Sequence, residues 1–160
     1  MIKKYLINFF VFIICFSIDL LVVHAQSVKE VLERTWYGGG RFSASILEGG
    51  YGYLQYKLYG VKVYDDNSFT GILEETFRLD SRDYRRTTNV KGNVYPSDNR
   101  IEFSDNGVRS SDYLPSNFSW CRNNFFLKIG RFNDRPDNIG MKGTNKCGES
   151  SIEAEFMDAP

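Results

Sequence analysis

The chain has 160 residues, 42% hydrophobic and 25% charged, with 20 basic and 20 acidic side chains. Balanced charge gives no general electrostatic reason to expect nucleic acid or an anionic membrane surface as a partner. His24 is the only histidine, so the fate of the first segment decides whether imidazole chemistry is available at all.

The opening MIKKYLINFFVFIICFSIDLLVVHAQS sets Lys3 and Lys4 before an apolar stretch from Tyr5 to Val23 and closes it with Val23-His24-Ala25. That order predicts a secretory signal peptide, residues 1–25, cleaved after Ala25. A retained membrane anchor is the competing reading, since the stretch is nearly long enough to span a bilayer; Asp19 interrupts it. Cys15, in FIIC, lacks the small neighbours of a lipid-modified cysteine and reads as part of the apolar stretch. Cleavage leaves residues 26–160 as one domain, long enough to bury a real core. It removes Lys3, Lys4 and Asp19, so 18 basic side chains remain against 19 acidic ones. It also removes His24, and with it Ser-His, Cys-His and His-metal chemistry. The expected location is secreted or periplasmic, with no membrane insertion after cleavage.

SVKEVLER predicts a short helix, with Ser27 as N-cap and Glu30 three residues on as the other half of a capping box. From there the period is two. TWYGGGRFSASI puts Trp36, Phe42, Ala44 and Ile46 on one face, with Gly38, Gly39 and Gly40 as a bend or bulge between them. A phosphate-binding loop is excluded there, because no G-x-G-x-x-G or P-loop lysine is present. In YGYLQYKLYGVKVY the apolar face is Leu54, Tyr56 and Leu58, but past Gly60 it becomes Val61 and Val63. A one-residue slip sends every later side chain to the wrong face, so this flip predicts a bulge at Gly60.

DDNS is a turn, and FTGILEETFRL follows with Phe69, Gly71, Leu73, Phe77 and Leu79 inward. SRDYRRTTNVKGNVY reads as a charged turn rising into a strand with Val90, Gly92 and Val94 inward; NRIEF is a short partner, and SDNGVRSSDYLPSN is loop. FSWCRNNFFLKIG turns Phe125, Leu127 and Ile129 inward, NDRPDN is a turn, IGMKGT is a strand, and SIEAEFM closes the set with Ile152, Ala154 and Phe156 inward. About eight strands joined by turns predict an all-β chain, an antiparallel meander closed into a small barrel. Its polar outward positions are not those of an outer-membrane barrel.

The two remaining cysteines, Cys121 and Cys147, are expected to pair in an oxidising compartment. Closing that loop adds roughly 3 kcal/mol in the chain-entropy model. Without a C-x-x-C spacing or a histidine, a redox role is not indicated.

An early tryptophan after a short helix, about eight antiparallel strands and an exported chain together resemble the lipocalin-like, or calycin, class. FSWCRNNFFLKIG followed by GMKGTNKCGESSIEAEF is similar to a small secreted bacterial domain with a Trp-Cys pair opening one late strand and a second cysteine before the last. Arg34 stands where the class usually has a glycine two residues before the tryptophan. The resemblance implies a barrel that binds a small apolar molecule in its interior.

Several residues are candidates for binding. Tyr51, Tyr53 and Tyr59 face away from Tyr56, with Gln55 and Lys57 beside them. Such a face can be a platform for sugar rings or an ordinary strand surface rich in tyrosine. Tyr56 is an inward candidate, and Trp120 either packs on the disulfide or lines a barrel mouth. RLDSRDYRR, with Arg78, Arg82, Arg85, Arg86, Asp80 and Asp83, reads as a solvated hairpin end rather than an anion site. Glu74 and Glu75 point to opposite faces, so they are no hydrolytic pair, while Glu153 and Glu155 share an exposed face. The aspartates of SDNG and NDRPDN match no EF-hand loop and read as turn residues. No cofactor or metal is expected. The sequence reading is a non-catalytic binding or accessory module for a small apolar or glycan ligand. The alternative is a structural or interaction domain at the cell surface, with a protein partner, cut from a longer polypeptide.

Overall fold

The computed structural model describes residues 28–43, 47, 51–132, 135–148 and 150–158. The signal-peptide expectation, Ser27, Ala44 and Ile46 lie outside these residues. The chain divides into two units, Met1–Leu32 and Glu33–Pro160. Within the first, helix α1 occupies 28–32.

The second unit is a closed antiparallel barrel whose strands follow the chain order. They are β1 (Trp36–Ser43), β2 (Tyr51–Val63), β3 (Ser68–Leu79), β4 (Arg82–Tyr95), β5 (Arg100–Ser111), β6 (Asn123–Phe132), β7 (Arg135–Cys147) and β8 (Ser150–Asp158). Pairing of β1 with β8, Trp36 opposite Asp158, closes the cylinder. β2, β4 and β6 finish at the lower end of the barrel and β1, β3, β5 and β7 at the upper end.

Turn chemistry sets the hairpins. Asp80 and Ser81 both have positive φ, 49° and 63°, the conformation of a two-residue primed turn whose twist matches that of the strands. At the lower end Asp66 Oδ1 accepts from Ser68 N at 2.9 Å and Ser68 Oγ at 2.6 Å, which closes the turn before β3. A single 3-10 turn, Pro96–Asp98, ends in Asn99 with φ 48°, one of the few side chains that tolerate that region.

Strand β2 carries the bulge where its parity flips. Tyr59 pairs with Ile72 and Lys62 with Thr70, so Gly60 and Val61 together face Gly71. Gly60 has φ 59°, and Leu58, Val61 and Val63 are all buried. The glycine run in β1 behaves differently from the expected bulge: Trp36 to Ser43 pairs with β2 without a break. Its glycines are there for proximity. A Cβ on Gly38 would lie 2.0 Å from the Glu155 carbonyl oxygen, and one on Gly40 would lie 2.8 Å from that of Glu153.

Two other expectations change. RDYRRTTN is the first half of β4 rather than a turn, which brings Tyr84, Arg86 and Thr88 inside. SDNGVRSS is the second half of β5 rather than a loop: it pairs with β4 up to Arg86↔Ser111 through two register shifts. β5 meets β6 only over Arg100 to Ser104, so the segment 112–122 spans the gap left at the upper end.

The lower and middle barrel is filled with side chains. Trp36, Leu58, Phe69, Leu73, Ile101, Leu127 and Met141 are buried. Phe103 and Phe125 stack with centroids 4.6 Å apart, and Phe156 and Tyr56 extend the cluster at 5.6 and 5.3 Å from Phe125. Such ring contacts add about 0.5–1.5 kcal/mol each beyond the area they bury.

Candidate functional site

Above the aromatic cluster a polar belt crosses the barrel interior, built from seven residues on six strands, two of them on β4. Glu75 on β3 and Arg86 on β4 are opposite one another in the hairpin register. Arg86 Nε donates to Glu75 Oε2 at 2.7 Å, and its Nη2 donates to the same oxygen. Nη2 also reaches Asp105 Oδ2 on β5 at 3.2 Å. Asp105 in turn accepts from the Asn123 backbone N–H at 3.0 Å and from Thr88 Oγ1 at 3.3 Å. Asn145 Nδ2 on β7 donates to Asn123 Oδ1 at 2.7 Å and to the Tyr56 hydroxyl at 3.4 Å, which closes the belt on β2.

Side-chain exposures of 2% for Glu75, 5% for Arg86 and 9% for Asp105 place all three charges inside the barrel. Two carboxylates share one guanidinium, and burial pushes the Glu75 carboxyl above its usual range, with Arg86 opposing the shift. Burial also pushes the Tyr56 hydroxyl well above the usual phenol range, so it stays neutral. Such a belt is costly to bury and secure only when each member is satisfied.

Between the belt and the upper end lies a cavity of about 410 Å³. Phe42, Leu54, Phe77, Phe118, Trp120 and Ile152 make its apolar wall, and Glu75 is the acidic group that faces it. Phe118 lies 5.1 Å from Phe77, centroid to centroid, and Phe42 lies 5.8 Å from Phe77, so the wall is continuous from β1 to the covering segment. That volume falls in the range of small-molecule sites, which combine apolar walls with a few placed polar groups.

The segment 112–122 is held like a strap across this end. At its start, Asp112 N donates to the Arg85 carbonyl at 2.8 Å, and Asp112 Oδ2 accepts from Arg85 N at 2.9 Å. Trp120 Nε1 donates back to the Asp112 carbonyl at 3.0 Å. At its far end, Cys121 is bonded to Cys147 with Cα atoms 5.5 Å apart, and its carbonyl accepts from Arg86 Nη1 at 2.6 Å. The Arg86 guanidinium also sits 5.2 Å from the Trp120 ring centroid. One arginine thus ties the floor of the cavity to its cover.

The sequence candidates scatter over these features. Trp120 is half-buried and lines the cavity. Tyr56 is buried in the core below it, and Trp36 is fully buried in the lower barrel. Tyr53 points outward, 63% exposed, on the opposite face of β2 from Tyr56. Tyr51 belongs to β2, but its side chain lies outside the described ones. Lys57 occupies the space between the Tyr37 and Tyr59 rings, 5.5 and 5.2 Å from their centroids. The charged hairpin is solvated only in part: Arg78 and Asp83 pair at the surface, while Arg86 is inside. The sequence reading sets Glu75 aside as half of a mismatched carboxylate pair and Asp105 as a turn residue, whereas Asp105 is on β5 with its side chain inside the barrel; Asn123 and Asn145 are not among the candidates. Their signal was parity, because each shares an inward register with buried apolar neighbours.

Among the described residues no cluster of His, Cys, Asp or Glu is arranged to hold a metal ion, and no helix is long and apolar enough to cross a membrane. Compared with known proteins, the chain matches no family model, no curated protein and no solved structure.

Proposed function

We propose that this chain is an exported, non-catalytic binding module of lipocalin-like type that holds a small, largely apolar molecule at the upper end of its barrel. The observation that carries this reading is the cavity of about 410 Å³, walled by Phe42, Phe77, Phe118 and Trp120 and covered by a segment fastened at both ends. The disulfide fits an oxidising compartment. Binding rather than catalysis is favoured because both carboxylates of the belt are engaged by Arg86.

Titration with the neutral fluorescent probe N-phenylnaphthylamine tests the reading. Saturable binding is expected, with quenching of Trp120 emission, and it should be lost in Leu54→Trp, which fills the cavity while leaving the lower barrel untouched. Equal binding by the wild type and the filled variant would overturn it. Native mass spectrometry of protein purified from its own host gives a second readout, a retained small molecule.

A further inference from the structure

The belt beneath the cavity is unbalanced. Glu75 and Asp105 bring two negative charges into the barrel and Arg86 brings one positive charge. Four of the five Arg86 donors go to protein acceptors: Nε and Nη2 to Glu75, Nη2 to Asp105, Nη1 to the Cys121 carbonyl. Asp105 is fully engaged as well, by Arg86, Thr88 and Asn123. Glu75, Asp105 and Arg86 together carry one net negative charge, shared between the two carboxylates, and Glu75 is the acidic residue of the belt that meets the cavity.

A buried carboxylate whose neighbours supply too little positive charge is stabilised by a proton or by an incoming cation. The apolar wall of Phe42, Leu54, Phe77 and Phe118 supplies the rest of a recognition site. We propose that the cavity takes an amphipathic cation, an aromatic or alkyl body carrying a protonated amine, with the amine seated against the Glu75 carboxylate. This rests on the cavity being a binding site and names the chemistry of what enters it.

Every charged group near Glu75 bears on the sign. Arg86 from β4 opposes a cation, Asp105 from β5 favours one, and Arg41, an exposed residue of β1 that lines the cavity, opposes one. Tyr56 from β2 is neutral, Asn123 and Asn145 from β6 and β7 carry no charge, and β8 contributes Ser150, Ser151 and Ile152. The sum over the interior remains negative.

Competition of phenylbutylamine, phenylbutanol and phenylbutyrate against N-phenylnaphthylamine reads the proposal directly. The amine should bind about tenfold tighter than the alcohol, the worth of one charge-assisted hydrogen bond, and the carboxylate should bind most weakly. In Glu75→Gln the ratio of amine to alcohol affinity should fall to about one. The wild type alone provides a test that needs no variant. Because burial raises the Glu75 carboxyl, a proton competes with the amine at low pH, so amine affinity should climb as pH rises through that titration while alcohol affinity stays flat. Alcohol or carboxylate binding as tightly as the amine overturns the cation and leaves the cavity reading standing; binding of the naphthylamine outside the cavity overturns both.

Discussion

Arg86 is the residue on which floor and cover of the cavity both depend. Removing it leaves Glu75 and Asp105 buried side by side and frees the Cys121 carbonyl and the Trp120 face. Arg86→Ala should therefore cost about 3–5 kcal/mol, the range for stranding a buried charge, measured by urea unfolding; a loss of under about 1 kcal/mol would place the effect among ordinary surface changes and discard the belt. Gly60 makes a cleaner case of backbone cost. Its φ of 59° lies in the left-handed region, and the nearest atom to an added Cβ is Ile72 Cδ1 at 3.9 Å, so sterics add nothing. Gly60→Ala should cost about 1–2 kcal/mol from conformation alone, and a neutral result would mean that the bulge can relax.

Strands transmit these local demands into closure of the barrel. At the β1–β8 seam a Cβ on Gly38 would overlap the Glu155 carbonyl, whereas one on Gly130 meets nothing within 4 Å and Gly130 has no positive φ. Gly38→Ala should lose about 3 kcal/mol by forcing the seam apart, and Gly130→Ala should stay within about 0.5 kcal/mol; equal thermal midpoints would refute the seam argument. For the strap, Cys121→Ser should cost about 3 kcal/mol by the loop-entropy model and weaken probe binding, because Arg86 and the Asp112 contacts alone then hold the segment. The seam also marks where sequence reading ends. The bulge at Gly60 was legible, since parity is a local property of β2. The purpose of Gly38 and Gly40 was not, because the atoms they avoid belong to β8, more than a hundred residues away. Glu75 and Arg86 were nearly legible. Both occupy inward positions, Glu75 between Leu73 and Phe77 and Arg86 between Tyr84 and Thr88, and a turn at Asp80 and Ser81 sets them opposite. The run of charges in SRDYRR hid that turn, because charge is the usual mark of a solvated loop. The cavity was legible only in outline, as an interior site with Trp120 at a barrel mouth; its cover was not, because segment 112–122 crosses where the β5–β6 pairing stops at Ser104, a consequence of barrel geometry rather than of residue pattern.

At the scale of the molecule, buried and exposed carboxyls pull stability in opposite directions with pH. Asp66 and Asp83, at two exposed hairpins, have carboxyls lowered from 3.8, Asp66 by bonds from Ser68 and Asp83 by Arg78. Their contributions are present above that value and fade as pH falls through the lowered ones. Glu75 behaves inversely. Its carboxyl is raised from 4.5 by burial, so the folded state holds a proton that the unfolded state releases; its contribution is complete below 4.5 and is lost as pH rises through the raised value. The ligand-free protein should therefore lose stability both as pH falls below 3.8 through the lowered aspartates and as pH rises above 4.5 toward the neutral side, the second loss assigned to Glu75. Urea midpoints across pH check this: Glu75→Gln should abolish the fall on the neutral side and keep the acid limb, which belongs to the hairpin aspartates. A saturating amine should cancel the same fall in the wild type, because a bound cation replaces the proton as partner of the carboxylate. Parallel curves for wild type and Glu75→Gln would mean that Arg86 alone already neutralises Glu75, and the cavity floor would then offer a cation no unbalanced charge to meet.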